Sequence, residues 1–253
     1  MAKKKYIIGN WKMNPESPES AKTIFSGIKK AAFKAPKVNT VICPPHVYIS
    51  LLVGMLRDKS ISIGAQDLFH LTQGSFTGEV SAEMLSNSGV EYVIIGHSER
   101  RNLGETSEII HKKVLLALEN GLDVVLCVGE KTRDLHGDYL EIVKGQLKEA
   151  LVGVQAKALS RVIVAYEPVW AIGAKEAMQV VQIHEMAIYV KKVLREIYDE
   201  ATVRAVKVLY GGSVTSTNTG SILAEGGVDG LLIGRQSLEP KDFAEIIKIA
   251  NEI

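Results

Sequence analysis

The chain has 253 residues, is 46% hydrophobic and carries a formal net charge of +1. That length fills one large core, built either as two small domains or as a single barrel of strands and helices. The near-zero balance leaves no excess charge to recruit nucleic acid or a membrane surface, and no apolar run is long enough to span a bilayer.

The chain starts Met-Ala-Lys-Lys-Lys, but only Tyr6, Ile7 and Ile8 follow before Gly9 and Asn10, too little for a signal peptide. Short apolar runs then recur at near-regular intervals, over 6–9, 38–43, 61–65, 92–96, 124–129, 162–166, 206–210 and 231–234. Each reads as a strand buried on both faces. Amphipathic stretches lie between them, over 16–34, 47–57, 80–88, 106–120, 139–152, 177–198, 217–225 and 241–251. Gly121 and Gly153 stand where helices stop. Strict alternation calls for a parallel sheet with crossover helices. Eight strands and eight helices over 1–253, with no linker or composition break, favour one closed (β/α)8 barrel domain. A doubly wound sheet is the alternative. It would normally carry a Gly-rich dinucleotide turn after the first strand, where this chain has Gly9-Asn10-Trp11-Lys12. The two cysteines, Cys43 and Cys127, end apolar runs and form no metal-type spacing, which fits a reduced, cytoplasmic setting.

In such a barrel, chemistry collects where strands end. Those positions hold Asn10 and Lys12, Gln66 and Asp67, His97 and Glu99, Glu130, Glu167, Ser213 and Gly234. Glu167 follows the strand at 162–166 and precedes Pro168, which biases it to an extended backbone. A lone strand-end acid is usually just solvated; here others converge on it. His97 precedes Ser98, a good N-cap, with a short turn or helix expected over 102–105. Positive potential at a helix start favours a neutral imidazole, able to donate to a carbonyl. Lys12 lies between Trp11 and Met13, and a fixed ammonium there could stabilise an enolate or a phosphate; Asn10 adds a neutral donor. Glycine-rich turns at 210–214 and 231–237 end the last two strands, where barrels build phosphate sites from backbone N–H groups. After Trp170, an apolar segment running to Gly173 suits a lid. Together these parts suit an aldose–ketose isomerase of a small sugar phosphate, with no metal. A Schiff-base aldolase using Lys12, another sugar-phosphate isomerase, and a barrel that only binds phosphosugars are the rivals.

The motifs GNWKMN (9–14), GAQD (64–67), FTGE (76–79), GHSERR (96–101), CVGE (127–130), YEPVWAIG (166–173) and YGGSV (210–214) occur in the order of one family. By them the chain resembles the triosephosphate isomerases over its whole length. The resemblance implies interconversion of dihydroxyacetone phosphate and glyceraldehyde 3-phosphate, in glycolysis and gluconeogenesis, without a cofactor. It implies Glu167 as base, His97 as electrophile, and Lys12 with Asn10 as donors to the substrate. Gly173, Ser213, Gly234 and Arg235 would supply phosphate-binding N–H groups, with Glu99 and Cys127 in support. It also implies a homodimer. Loop 66–79 carries Leu68, Phe69, Leu71 and Phe76, a load that is hard to leave in water, and its Thr77 would reach the neighbour's site near Asn10 and Lys12. Two departures stand out. Ala174-Lys175-Glu176 replaces the family's usual Thr-Gly-Lys, so altered lid kinetics are expected. Arg235 replaces a usual glycine. A positive φ there would cost about 1 kcal/mol or more, and its guanidinium is expected to face solvent or pair with an acid.

Overall fold

A computed structural model describes residues 4–134, 136–171 and 178–253. Eight parallel strands form a closed barrel in chain order. They are β1 (Lys5–Asn10), β2 (Val38–Cys43), β3 (Ile61–Ala65), β4 (Tyr92–Ile95), β5 (Asp123–Val128), β6 (Val162–Tyr166), β7 (Lys207–Tyr210) and β8 (Gly230–Ile233). β1 pairs with β2 from Lys5 opposite Val38 to Asn10 opposite Cys43. It also pairs with β8, from Tyr6 opposite Gly230 to Gly9 opposite Ile233. That second seam rules out the doubly wound alternative, whose sheet keeps two free edges.

Alternation along each strand divides the core in two. Ile8, Val41, Cys43, Ile94, Val125, Cys127, Ile163, Ala165, Leu209 and Leu232 pack together inside the ring, so the barrel is filled and not a pore. The neighbouring residues point outward, and Ile7, Ile42, Val93 and Val124 join Phe25, Ile28, Leu52 and Phe243 from the helices. Both faces of every strand are thus dry, which is why the sequence shows runs and not alternation. Each fully buried Ile, Leu or Phe contributes roughly 1.5–3 kcal/mol.

The described residues hold eleven α-helices, not eight: α1 (Pro18–Phe33), α2 (Ile49–Val53), α3 (Ala82–Asn87), α4 (Ser98–Asn102), α5 (Ser107–Glu119), α6 (Asp138–Ala150), α7 (Ala156–Leu159), α8 (Val180–Arg195), α9 (Glu200–Ala205), α10 (Ser216–Glu225) and α11 (Pro240–Glu252). The unforeseen α7 and α9 are too short to display a helical period, and α4 starts four residues before the short turn or helix expected over 102–105. The segment expected over 47–57 is only a 3₁₀ turn, His46–Tyr48, followed by α2. Local signals set the longer boundaries. Ser17 caps α1 by accepting from the Ser20 N–H, with Pro18 in the first turn. Gly121 and Gly153, at φ 76° and 70°, follow the ends of α5 and α6 in the left-handed region. No helix among the described residues is long and apolar enough to cross a membrane.

Candidate active site

Eight of the candidates stand at or just after the carboxyl end of a strand, so the closed ring gathers them at one rim. Asn10, Lys12, His97, Glu99, Glu167, Ser213, Gly234 and Arg235 line a single cavity of about 600 Å³. Gly173 and the 174–176 segment lie outside the described residues. Gln66 and Asp67 line an adjoining hollow of about 430 Å³, which shares Asn10, Lys12, His97 and Glu99 with the first. Cys127 lies below the cavity, in the barrel core. Burial, and then the Glu167 carboxylate, push its thiol well above the ordinary range.

Glu167 is buried at 2% exposure directly after β6. Its N–H bonds to the Val128 carbonyl at 2.8 Å, which extends the β5–β6 ladder by one rung. The neighbouring turns approach closely, and at Gly129 only glycine fits. A Cβ on Gly129 would overlap the Glu167 carbonyl, and one on Gly211 would lie 2.9 Å from Glu167 Cγ. The carboxylate is held from two sides: the Ser98 N–H donates to Oε2 at 3.2 Å, and His97 Nε2 lies 3.2 Å from Oε1.

His97, not Ser98, is the N-cap of α4. Its Nδ1 accepts from the Glu99 N–H at 3.2 Å. A nitrogen that accepts a backbone N–H carries no proton, so the ring proton sits on Nε2, facing Glu167 and the cavity. The five-residue helix therefore selects the tautomer that can donate to a substrate oxygen. Sequence reading missed this because Ser98 is the commoner cap; the histidine one residue earlier does the same job with a ring nitrogen.

Lys12 has φ 54° and is the one non-glycine residue with positive φ among those described. Such a backbone costs roughly 1–2 kcal/mol. Flanking groups pin it: its N–H donates to Asn10 Oδ1 at 3.0 Å, and its carbonyl accepts from Gln66 Nε2 at 2.8 Å. Asn10 thereby spends its amide oxygen on the backbone and keeps its NH₂ group to donate. Lys12 Nζ bonds to Glu99 Oε1 at 2.6 Å, so Glu99 is the ion-pair partner of the lysine. A Cβ on Gly234 would sit 3.4 Å from Lys12 Cε, so glycine there leaves the lysine room.

Further along the cavity, Tyr210 leads into the 211–215 turn. α10 follows, its start closed by a capping box between Thr215 and Asn218. Gly234 opens a 3₁₀ turn, Arg235–Leu238, and Ser237 Oγ donates back to the Gly234 carbonyl at 2.6 Å. Arg235 does not adopt positive φ, so the anticipated strain is absent. Of the two expected fates of its guanidinium, solvent or an acid, the exposed residue takes the first: it has no hydrogen bond or ion pair among the described residues.

After β6 and Pro168, Val169–Ala171 forms a 3₁₀ turn. Trp170 Nε1 donates to the buried Glu130 at 3.0 Å, the Tyr166 hydroxyl donates to it at 2.8 Å, and Arg133 pairs with it at 3.0 Å. Sequence reading placed Glu130 among the strand-end polar groups; it holds the Trp170 turn and does not line the cavity. Among the described residues no group of three or more His, Cys, Asp or Glu side chains is disposed to hold a metal ion.

This cavity can move a proton between a carboxylate and a substrate carbon while an imidazole N–H and an ammonium hold developing oxyanions. The family model for triosephosphate isomerase matches residues 5–250. A triosephosphate isomerase of Natranaerobius thermophilus is 40% identical over 246 residues, covering 96% of this chain and 95% of the relative. Another, of Moorella thermoacetica, is 40% identical over 243 residues, with 95% and 96% coverage. One from Rhodopirellula baltica is 37% identical over 252 residues, with 99% coverage of both. The chain belongs to the triosephosphate isomerase family.

Proposed function

We propose that Glu167, His97, Lys12 and Asn10 carry this chain's isomerase reaction, the interconversion of dihydroxyacetone phosphate and D-glyceraldehyde 3-phosphate. Glu167 takes the proton from the carbon beside the carbonyl. His97 Nε2–H donates to the carbonyl oxygen and passes protons between the two oxygens of the enediolate. Lys12 and the Asn10 amide stabilise the charge that develops there, and Glu167 returns its proton to the neighbouring carbon. Substrate replaces the contacts that hold Glu167 to Ser98 and His97 and draws Lys12 from Glu99. Backbone N–H groups at Gly173, Ser213, Gly234 and Arg235 bind the phosphate, and the lid excludes water. The observation that most supports this reading is the meeting of Glu167 and the donor nitrogen of His97 at 3.2 Å, in the cavity that Lys12 and Asn10 also line.

On this reading residues 1–253 act as one domain in the cytoplasm, within glycolysis and gluconeogenesis, and work as a homodimer. Support for the dimer comes from the loop at 66–79, where residues 71–79 are all exposed. Met13, Val47 and Leu103 are exposed by 94%, 80% and 79%, and Met13 and Leu103 line the hollow beside the site. The partner's loop, with Thr77 at its tip, would fill that hollow.

The test is a coupled assay on glyceraldehyde 3-phosphate, wild type beside Glu167→Gln. A loss of at least about 10³-fold in kcat, with thermal midpoint retained, is expected. An inactive wild type, or an unimpaired Glu167→Gln, overturns the reading. Sedimentation showing a fully active monomer overturns the dimer alone.

A further inference from the structure

The charged groups lining the cavity, among the described residues, are Lys12, Glu99, Glu167 and Arg235. His97 is neutral by its hydrogen bonding. One ammonium against two carboxylates leaves that wall with a net charge of −1, an unfavourable field for a phosphate dianion. The Lys12 ammonium is also already engaged with Glu99 at 2.6 Å, which shields it from an approaching anion. Arg235 brings the wall to zero. It is exposed, stands at the first position of the 3₁₀ turn after β8, and has no partner of its own among the described residues.

We propose that the Arg235 guanidinium recruits the substrate's phosphate at the cavity mouth, offsetting the negative charge that Glu99 and Glu167 leave over Lys12. The inference rests on the triose-phosphate reading above and deepens it. A glycine at this position would leave the backbone donor in place but not the charge. An unpaired, exposed guanidinium that makes no contact with Glu167 or His97 acts chiefly on encounter and on ground-state affinity. Its effect therefore falls on kcat/KM and weakens with salt. The Debye length shrinks from about 30 Å at 0.01 M to about 8 Å at physiological ionic strength.

The experiment compares wild type, Arg235→Gln, Arg235→Lys and Arg235→Glu on glyceraldehyde 3-phosphate, from roughly 0.01 M to 0.5 M ionic strength. The uncharged substrate glyceraldehyde is run alongside, and inorganic phosphate serves as inhibitor. At low salt, Arg235→Gln is expected to lower kcat/KM by about three- to tenfold and to weaken phosphate inhibition by a similar factor. Arg235→Glu falls further, Arg235→Lys returns most of the loss, high salt erases the differences, and turnover of glyceraldehyde stays level. Two outcomes overturn the proposal: Arg235→Gln within about 1.5-fold of wild type at low salt, or a loss that is salt-independent and shared by glyceraldehyde. The second would assign the effect to the backbone turn. Arg235→Lys, which keeps the side-chain stem and the charge, separates charge from folding should Arg235→Gln prove unstable. A wild type inactive on the triose phosphate would instead refute the underlying function.

Discussion

Replacing Lys113 with methionine probes a polar knot that has no part in the chemistry. Lys113 is 2% exposed on α5, and its ammonium pairs with Asp67 at 2.6 Å and, more closely still, with Glu105. Arg100 reaches Asp67 at 2.9 Å and Glu105 at 4.0 Å. The knot ties the first residues of the 66–79 loop to the α4–α5 turn. Methionine fills the space of the lysine stem but leaves two carboxylates facing each other, with Glu105 only 3% exposed. Breaking a buried pair from one side costs about 3–5 kcal/mol. Arg100 stays and the Asp67 side chain is 15% exposed, so the lower end applies, about 3 kcal/mol. For a chain this long, 1 kcal/mol moves the thermal midpoint by about 2–4 °C, so the expected drop is about 6–12 °C. Calorimetry or urea unfolding reads it directly. Neutralising the stranded acids in Lys113→Met/Asp67→Asn/Glu105→Gln should return most of the loss. A single Lys113→Met variant within about 2 °C of wild type, or a triple variant worse than the single, refutes the reasoning.

Other outcomes can be checked with less effort. Gly211→Ala pushes a methyl against Glu167 Cγ, so kcat should fall by about 100-fold while the thermal midpoint holds within a few degrees. Burial raises Cys43 and Cys127 above their ordinary value of 9.0, and raises Tyr92 and Tyr166 above 10.0. The folded state thus keeps protons that the unfolded chain releases. Stability is full below about pH 9 and declines as pH climbs towards the raised folded values, by up to about 1.4 kcal/mol per pH unit for each group. Urea midpoints at pH 8, 9.5 and 10.5 should fall in that order; a flat series contradicts it. The same burial makes both thiols slow to alkylate at pH 8 in the native protein and fast in urea, and rapid native labelling of Cys127 would contradict its placement in the barrel core. Glu130→Leu removes the acceptor of the Trp170 indole and of the Tyr166 hydroxyl. It should shift Trp170 emission and lower kcat about tenfold, and unchanged emission would mean that the 169–171 turn does not depend on Glu130.

Much of the architecture was readable from one dimension. Strands buried on both faces leave unbroken apolar runs, and all eight fall within two residues of their expected places. Glu167, His97, Lys12 and Asn10 were legible because a residue at a strand's carboxyl end has only one rim to occupy. The rest depends on approaches between distant segments, which carry no local pattern. That Nδ1 of His97 caps α4, that Gln66 pins the left-handed Lys12, that Glu99 takes the Lys12 ammonium and that Glu130 grips Trp170 are all facts of side chains meeting across loops. The α7 and α9 helices were missed for a related reason: four or six residues are too few to show a period, so contacts and caps decide them. Order along the chain thus determined the ring of strands and which residues reach its rim. Only folding in three dimensions decided each residue's partner, protonation site and charge environment, because those are set by atoms within 3–4 Å and not by neighbours in sequence.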